Sequence, residues 1–215
     1  MPADEPSRGD RRRGLGTIEV RALEPADVAG AAGAAARALE DDPASVACYG
    51  DDPLVRLDAT HGLFLELFDR AVVPQYGALL GRLVLGVAGV LPPGTCVGAV
   101  MGPYVDATLS APVPPVGDPS RPMVLWATWA AHDLPEEHWH IGPVGVDPGY
   151  QGVGIGKAVM AELCRNLDEG GHVGWLETNK EQNLRFYTSL GFELVDHATA
   201  LGVPSWFMRR DPRDW

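Results

Sequence analysis

Two stretches of this chain carry groups whose types and spacing can do chemistry. The first is Val144-Gly-Val-Asp-Pro-Gly-Tyr-Gln-Gly-Val-Gly-Ile-Gly-Lys157, an apolar strand end that turns through glycines into an amphipathic helix. The first N–H groups of a helix have no intrahelical partner, and aligned peptide dipoles leave partial positive charge there. Such a junction is suited to an anion such as phosphate. The second stretch is 176–192, where Asn183 and Tyr187 stand four residues apart and share one face of a short helix. A phenol with an ordinary pKa near 10 is a proton donor at neutral pH. His138 and His140 lie on one face of the strand entering the glycine loop, since alternate strand residues point the same way. Glu177 stands on the strand before Tyr187, so an imidazole and a carboxylate are both available to take a proton.

Spacing separates the common readings of a glycine-rich strand-to-helix turn. A dinucleotide fingerprint counted from Gly152 and Gly154 would need a third glycine where Lys157 stands. A Walker A loop would need a glycine at Gln151 and a hydroxyl at Ala158 to ligate magnesium. What remains, Gln151-x-x-Gly154-x-Gly156, resembles the pyrophosphate loop of the GNAT (Gcn5-related) N-acetyltransferases. Thirty residues on, Asn183 with Phe186-Tyr187 and Gly191-Phe192 resembles the family segment that contacts the coenzyme and faces its sulfur. Both motifs stand in the family's order, and the specific part of the likeness covers 138–192.

The resemblance implies an α/β fold with a mixed, mostly antiparallel central sheet flanked by helices. It implies acetyl-CoA as co-substrate, its pyrophosphate held by Gln151, Gly152, Val153, Gly154, Ile155, Gly156 and Lys157. In the family the strand before the loop splays at a bulge and bonds the thioester carbonyl and pantetheine; matched by position this is Val144-Gly145-Val146, through the N–H groups of Val144 and Val146. Asn183 would contact the coenzyme and Tyr187 would be the acid. Histone-acetylating relatives carry a Glu eleven residues before the loop's first Gln, and here His140 stands there, with Glu177 as a second candidate base. The implied activity moves an acetyl group to a primary amine by direct attack in a ternary complex. The alternatives are a non-catalytic acyl-CoA-binding regulatory module and a longer donor such as succinyl-CoA.

The elements that must hold these residues are legible from periodicity. A strand is expected at 138–146, a turn at Pro148-Gly149, and a helix whose buried stripe is Ile155, Val159, Leu163 and Leu167. A second helix is expected over about 180–190, opened by an Asn179/Gln182 capping box and closed by a left-handed Gly191. Upstream, 17–21 alternates as a first strand, and Pro25 opens an Ala-rich helix ending near Asp42-Pro43. Leu54, Leu57, His61, Phe64, Leu65, Phe68 and Val72 form a second helical stripe. Residues 84–91 read as a central strand stopped by Pro92-Pro93, and 92–120, rich in proline at 112–119, as mostly loop. Met123, Trp126, Trp129 and Ala130 suggest a short helix. The acceptor half would comprise the 43–75 helices, the 92–120 segment and the Trp-rich segment.

With 215 residues and 46% hydrophobic content, one domain over 17–215 is expected, preceded by a flexible tail at 1–16 that contains Arg11-Arg12-Arg13. A formal charge of −12 argues against nucleic acid and leaves a cationic acceptor open. Apolar runs fall short of a bilayer span and no apolar segment follows the arginines, so a cytoplasmic location is expected, without membrane partners. Cys48, Cys96 and Cys164 are odd in number and lack metal-ligand spacing, and Cys164 falls on the buried side of its helix. His138 and His140, even with His132, make no ligand set by spacing, so no metal is expected. The expected partners are acetyl-CoA and an amine-bearing acceptor, a small molecule ahead of a protein, with a homodimer allowed for.

Overall fold

The computed structural model describes residues 17–213, so the tail expected at 1–16 lies outside the described residues. These form a seven-stranded sheet in the order β1 (Ile18–Ala22), β2 (Tyr76–Leu80), β3 (Leu83–Leu91), β4 (Trp139–Val146), β5 (Gly174–Thr178), β7 (Val203–Arg210) and β6 (Glu193–Ala200). Neighbours are antiparallel except β4 and β5, which are parallel. This is the mixed, mostly antiparallel α/β sheet that the sequence implied. β3 is buried from Val84 to Val90, as an uninterrupted apolar run in a strand covered on both faces requires.

A parallel pair needs a crossover, and α7 (Ile155–Glu169) supplies it between β4 and β5. Its stripe of Ile155, Val159, Leu163 and Leu167 is buried against Leu85, Ile141, Leu176 and Met208 on one face of the sheet. Each such side chain contributes about 1.5–3 kcal/mol. The other face is covered by α1 (Val28–Leu39) and α3 (Pro53–Asp69). Ala31, Ala32, Ala34, Ala35 and Ala36 are fully buried, and their small side chains let α1 approach the strands closely. A Cβ added at Gly145 of β4 would come within 2.7 Å of the Ala38 Cβ, so helix and strand meet there on glycine.

Four expectations are corrected. Pro25 opens a 3-10 turn (Pro25–Asp27) that runs on into α1, rather than the helix itself. Pro43 starts a helix instead of stopping one: it is the first residue of α2 (Pro43–Tyr49), where the Asp42 carboxylate caps the Ala44 N–H at 3.0 Å. Asp52 and Pro53 repeat the device to open α3, so three helices rather than two separate β1 from β2. Residues 92–120 are helical in their middle, with α4 (Val97–Met101), a 3-10 turn (Gly102–Tyr104) and α5 (Val105–Ser110) ahead of α6 (Arg121–Ala131). The prolines cluster at the two ends of that segment, and Pro103 sits in the first turn of its 3-10 helix, where a missing N–H costs little.

The fourth correction concerns the helix carrying Tyr187. It is α8 (Gln182–Thr188), with Glu181 at its N-cap, and no capping box forms. The Asn179 amide instead donates to Pro204 O and to Ser205 Oγ, both at 2.8 Å. Its C-terminal end is as expected: Gly191 has φ 93°, with Phe192 N–H bonded to Tyr187 O and Gly191 N–H to Thr188 O. Cys48, Cys96 and Cys164 are buried free thiols. No helix among the described residues is long and apolar enough to cross a membrane.

Candidate active site

β4 and β5 pair through two rungs, Trp139 with Gly174 and His140 with Trp175, and then part. Beyond His140, β4 stays paired to β3 on its other edge, with a bulge where Gly142 and Pro143 oppose Gly89. The Asp147 N–H donates to Leu85 O at 2.9 Å, one step past the Val146–Gly86 pair. Antiparallel neighbours alternate between bonded and non-bonded pairs, so Gly145 bonds to β3 whereas Val144 and Val146 direct N–H and C=O toward the gap that β5 has vacated. The Val146 carbonyl duly accepts from Gln151 Nε2 at 3.0 Å.

The glycine loop follows at the mouth of that gap. Asp147 pins it: one carboxylate oxygen caps the Gly149 N–H at 3.0 Å and the other takes Arg37 Nε of α1 at 2.7 Å. Gly152 and Gly154 have φ of 78° and 95°, a left-handed backbone that side-chain-bearing residues resist, and Gly154 is the N-cap of α7. Ile155, Gly156 and Lys157 form the helix's first turn, whose N–H groups have no intrahelical partner. No acidic residue lies in that turn, and Lys157 is exposed beside it.

On the facing side, Asn183 Nδ2 donates to Thr178 Oγ1 at the end of β5 at 3.0 Å, which locks α8 to the strand. Asn183 and Tyr187 both line one cavity of about 240 Å³, confirming the shared helix face. The bulge residues Gly142, Pro143 and Val144 lie on the same wall, with His140 and Glu177. The opposite wall comes from α2, α3 and α6 and includes Tyr49, Phe64, Trp126 and Trp129. Trp129 is held by its Nε1–H donating to Ser205 Oγ at 3.0 Å.

His140 Nε2 lies 3.1 Å from Glu177 Oε2, with both side chains nearly buried. Burial opposes charge on this imidazole, and Glu177, backed by Cys96 and Asp133, outweighs it, so the pKa rises above the ordinary histidine value. Burial, reinforced by Glu177 and Asp42, holds the Tyr187 phenol well above its ordinary pKa, hence neutral. Asp42 is a second carboxylate in the cavity, missed in the sequence because Asp42-Pro43 reads there as a helix end, whereas Asp42 caps α2. Burial raises its pKa against the opposing pull of the Ala44 N–H and of Lys180, whose Nζ lies 3.6 Å away.

Of the remaining histidines, His132 is remote from the pair, with Nδ1 2.7 Å from Asp196 Oδ2 and its ring stacked on Phe207. His138 Nε2 contacts Asp133 Oδ1 at 3.0 Å. Burial works against its charge, but Asp133, Cys96 and the Glu136 carbonyl push its pKa up to about 10.

Comparison with known proteins agrees with this architecture. Residues 84–192 match the Acetyltransferase (GNAT) family, and the chain belongs to that family. It is 36% identical over 86 residues to the N-alpha-acetyltransferase RimI of Mycobacterium tuberculosis, a match covering 37% of this chain and 53% of that protein. The chain spans about half the length of the curated relatives it matches. Its fold is similar to that of a polyamine N-acetyltransferase from Drosophila melanogaster that forms N-acetylagmatine, with TM-score 0.67, 14% identity and coverage of 91% of this chain and 100% of the other. It is also similar to that of the PaiA N-acetyltransferase from Thermoplasma acidophilum in complex with coenzyme A, with TM-score 0.56, 13% identity and coverage of 91% and 99%.

Proposed function

We propose that the protein is an N-acetyltransferase that moves the acetyl group of acetyl-CoA to a primary amine by direct attack in a ternary complex. The observation that carries this reading is the opening between β4 and β5, where Gly142, Pro143 and Val144 share one cavity with Glu177, Asn183 and Tyr187. The pyrophosphate sits on the first-turn N–H groups of Ile155, Gly156 and Lys157, with the helix dipole behind them. Pantetheine runs along β4 as a substitute strand, taking the free edge of Val146 and Val144. Gly145 contributes close packing against α1 rather than a ligand contact.

The thioester then lies between the bulge and Tyr187. Glu177, positioned by His140, takes a proton from the acceptor ammonium, and the freed amine attacks the carbonyl carbon. Negative charge that develops on the carbonyl oxygen is met by the Val144 N–H. Collapse breaks the C–S bond, Tyr187 gives its proton to the departing sulfur, the surplus proton on the amide nitrogen passes through solvent to the phenolate, and Glu177 releases its own proton to water. The burial that keeps the phenol neutral also raises the proton affinity of the thiolate in the same cleft, so donor and acceptor stay matched. Asp42 and Glu177 supply negative charge, and Tyr49, Phe64, Trp126 and Trp129 supply apolar wall, a combination that favours a small cationic amine with an apolar body.

The test is a screen with acetyl-CoA in which free thiol and acetylated product are followed across small amines, aminoglycosides, amino acids and peptides. Amine-dependent thiol release with a matching product mass supports the reading. Thermal protection by acetyl-CoA with no turnover on any amine class would instead make the chain an acyl-CoA-binding module.

A further inference from the structure

Next to the cleft, Cys96, Asp133, His138 and His140 each bring a donor atom within 4.8 Å of the other three. Cys96 Sγ lies 3.4 Å from Asp133 Oδ2 and 3.8 Å from His138 Nε2, and His138 Nε2 lies 3.0 Å from Asp133 Oδ1. A tetrahedral zinc ion, bonded to sulfur at about 2.3 Å and to nitrogen or oxygen at about 2.0–2.1 Å, holds such donors about 3.3–3.6 Å apart. The two Asp133 contacts run to different oxygens of one carboxylate, so with one donor from each residue the four are gathered within 4.8 Å, and an ion would draw them in by about an ångström to reach tetrahedral spacing.

The ring nitrogens of His138 are sorted as a metal ligand requires. The His138 Nδ1–H donates to Glu136 O at 2.9 Å, which leaves Nε2 as the nitrogen facing Cys96 and Asp133. In His140, Nε2 faces Glu177, and the remaining nitrogen, Nδ1, is buried with no partner among the described residues. A buried nitrogen left in that state is destabilising, a penalty that a bond to a metal would remove. Histidine ligands ordinarily give their other N–H to a carbonyl or carboxylate, as His138 does to Glu136 O, and Glu177 Oε2, itself without a hydrogen-bond partner among the described residues, lies 3.1 Å from His140 Nε2.

We propose that Cys96, Asp133, His138 and His140 form a closed, four-ligand structural site for a zinc ion. One thiolate and two imidazoles suit a borderline-soft ion and are wrong for magnesium or calcium. Four protein ligands leave no open coordination position, which makes the site structural rather than catalytic. Its placement supplies the purpose. Cys96 follows β3 at the start of α4, Asp133 follows α6, and His138 and His140 lie on the run into β4. An ion joining them closes both ends of the insertion that carries Trp126 and Trp129, 37 residues from Cys96 to Asp133, onto the sheet. The acceptor wall of the cleft is thereby fixed, whatever the acceptor is.

The test uses the full chain, stripped of metal and titrated with cobalt(II) as a spectroscopic stand-in for zinc. The expected result is saturation at one cobalt per chain, a thiolate-to-cobalt charge-transfer band, and the intense visible bands of a four-coordinate ion, all displaced by zinc. Zinc should also raise the melting temperature. Cys96→Ser should abolish the charge-transfer band, whereas a Cys48→Ser/Cys164→Ser double variant should keep it. The double variant decides the matter even if Cys96→Ser fails to fold, because Cys96 is then the sole thiol. No saturable binding, cobalt bound without a thiolate band, or a band lost in the double variant would each overturn the site.

Discussion

His140 Nε2 and Glu177 Oε2 approach to 3.1 Å at the rung where β4 and β5 part company. His140 pairs with Trp175, and Glu177 is two residues further along β5 on the same face, so the pleat itself brings imidazole and carboxylate together. The pair lies at the closed end of the gap proposed for the thioester. Glu177→Gln keeps the volume and removes the proton acceptor. Amine acetylation should fall roughly 100-fold or more if proton removal limits the rate, with acetyl-CoA binding by thermal shift unchanged. Equal turnover of the two proteins would hand deprotonation to solvent.

The loop proposed to hold the coenzyme is best tested without disturbing its glycines, since a side chain at Gly154 would be strained at φ 95° whatever binds there. Lys157 is exposed in the first turn of α7. Lys157→Glu places a carboxylate at the positive end of the helix dipole, where it stabilises the free protein by about 0.3–1 kcal/mol. The same charge repels a pyrophosphate. The expected signature is a pair of opposite movements: a slightly higher melting temperature without ligand, and a smaller increment on adding acetyl-CoA. An unchanged increment would place the pyrophosphate elsewhere.

The strand, loop and helix over 138–167 and the Tyr187 segment were legible because their constraints are local. A 3.6-residue stripe, glycines at forced turns and a left-handed Gly191 each act within a few residues. What escaped sequence reading depends on distant partners. Asn179 looked like a helix cap, but Pro204 O and Ser205 Oγ, 25 and 26 residues away, take its amide instead. Asp42-Pro43 reads as the end of the Ala-rich helix, and Asp42's place in the cleft depends on α2 packing against α3, α6 and β7. His138 and His140 can be put on one face of a strand, yet Cys96 and Asp133 reach them from the two ends of an insertion that reads as loop over 92–120 and as a short helix beyond. The bulge in β4 has no local signature beyond Gly142-Pro143, which any turn could have used.

Tyr187 is buried between Phe186 and Phe192, whose rings meet it edge-on at centroid distances of 5.1 and 5.9 Å. Those contacts are made by the ring and survive Tyr187→Phe, which removes the hydroxyl and little volume. Coenzyme binding and melting temperature should therefore hold while acetyl transfer drops roughly 100-fold. A faster-leaving thioester donor should narrow the gap between the two proteins, because its thiolate needs less help from an acid. Equal rates with an ordinary acetyl-CoA donor would make Tyr187 a packing residue.

The position of Tyr187 also depends on a charge pair far from the chemistry. Arg210, at the end of β7, makes a two-pronged contact with Asp168 at 2.6 and 2.7 Å and donates Nε–H to Leu190 O in the turn after α8. Both side chains of the pair are almost fully buried. Arg210, followed by burial in the opposite sense and the Arg213 N–H, holds the Asp168 carboxyl below its ordinary pKa. A depressed carboxyl pKa means the unfolded state binds the proton more readily. The pair's contribution is therefore complete above about pH 4, the unfolded value, and is lost as pH falls through the folded one. Asp168→Asn leaves a buried guanidinium without its counter-charge and should cost about 3–5 kcal/mol at neutral pH. Denaturant midpoints measured at pH 7 and at about pH 3 check both parts: the variant should lie well below the parent at pH 7, and the gap should shrink in acid. A gap that is the same at both pH values would mean that the variant's loss is one of packing, with no ionic share.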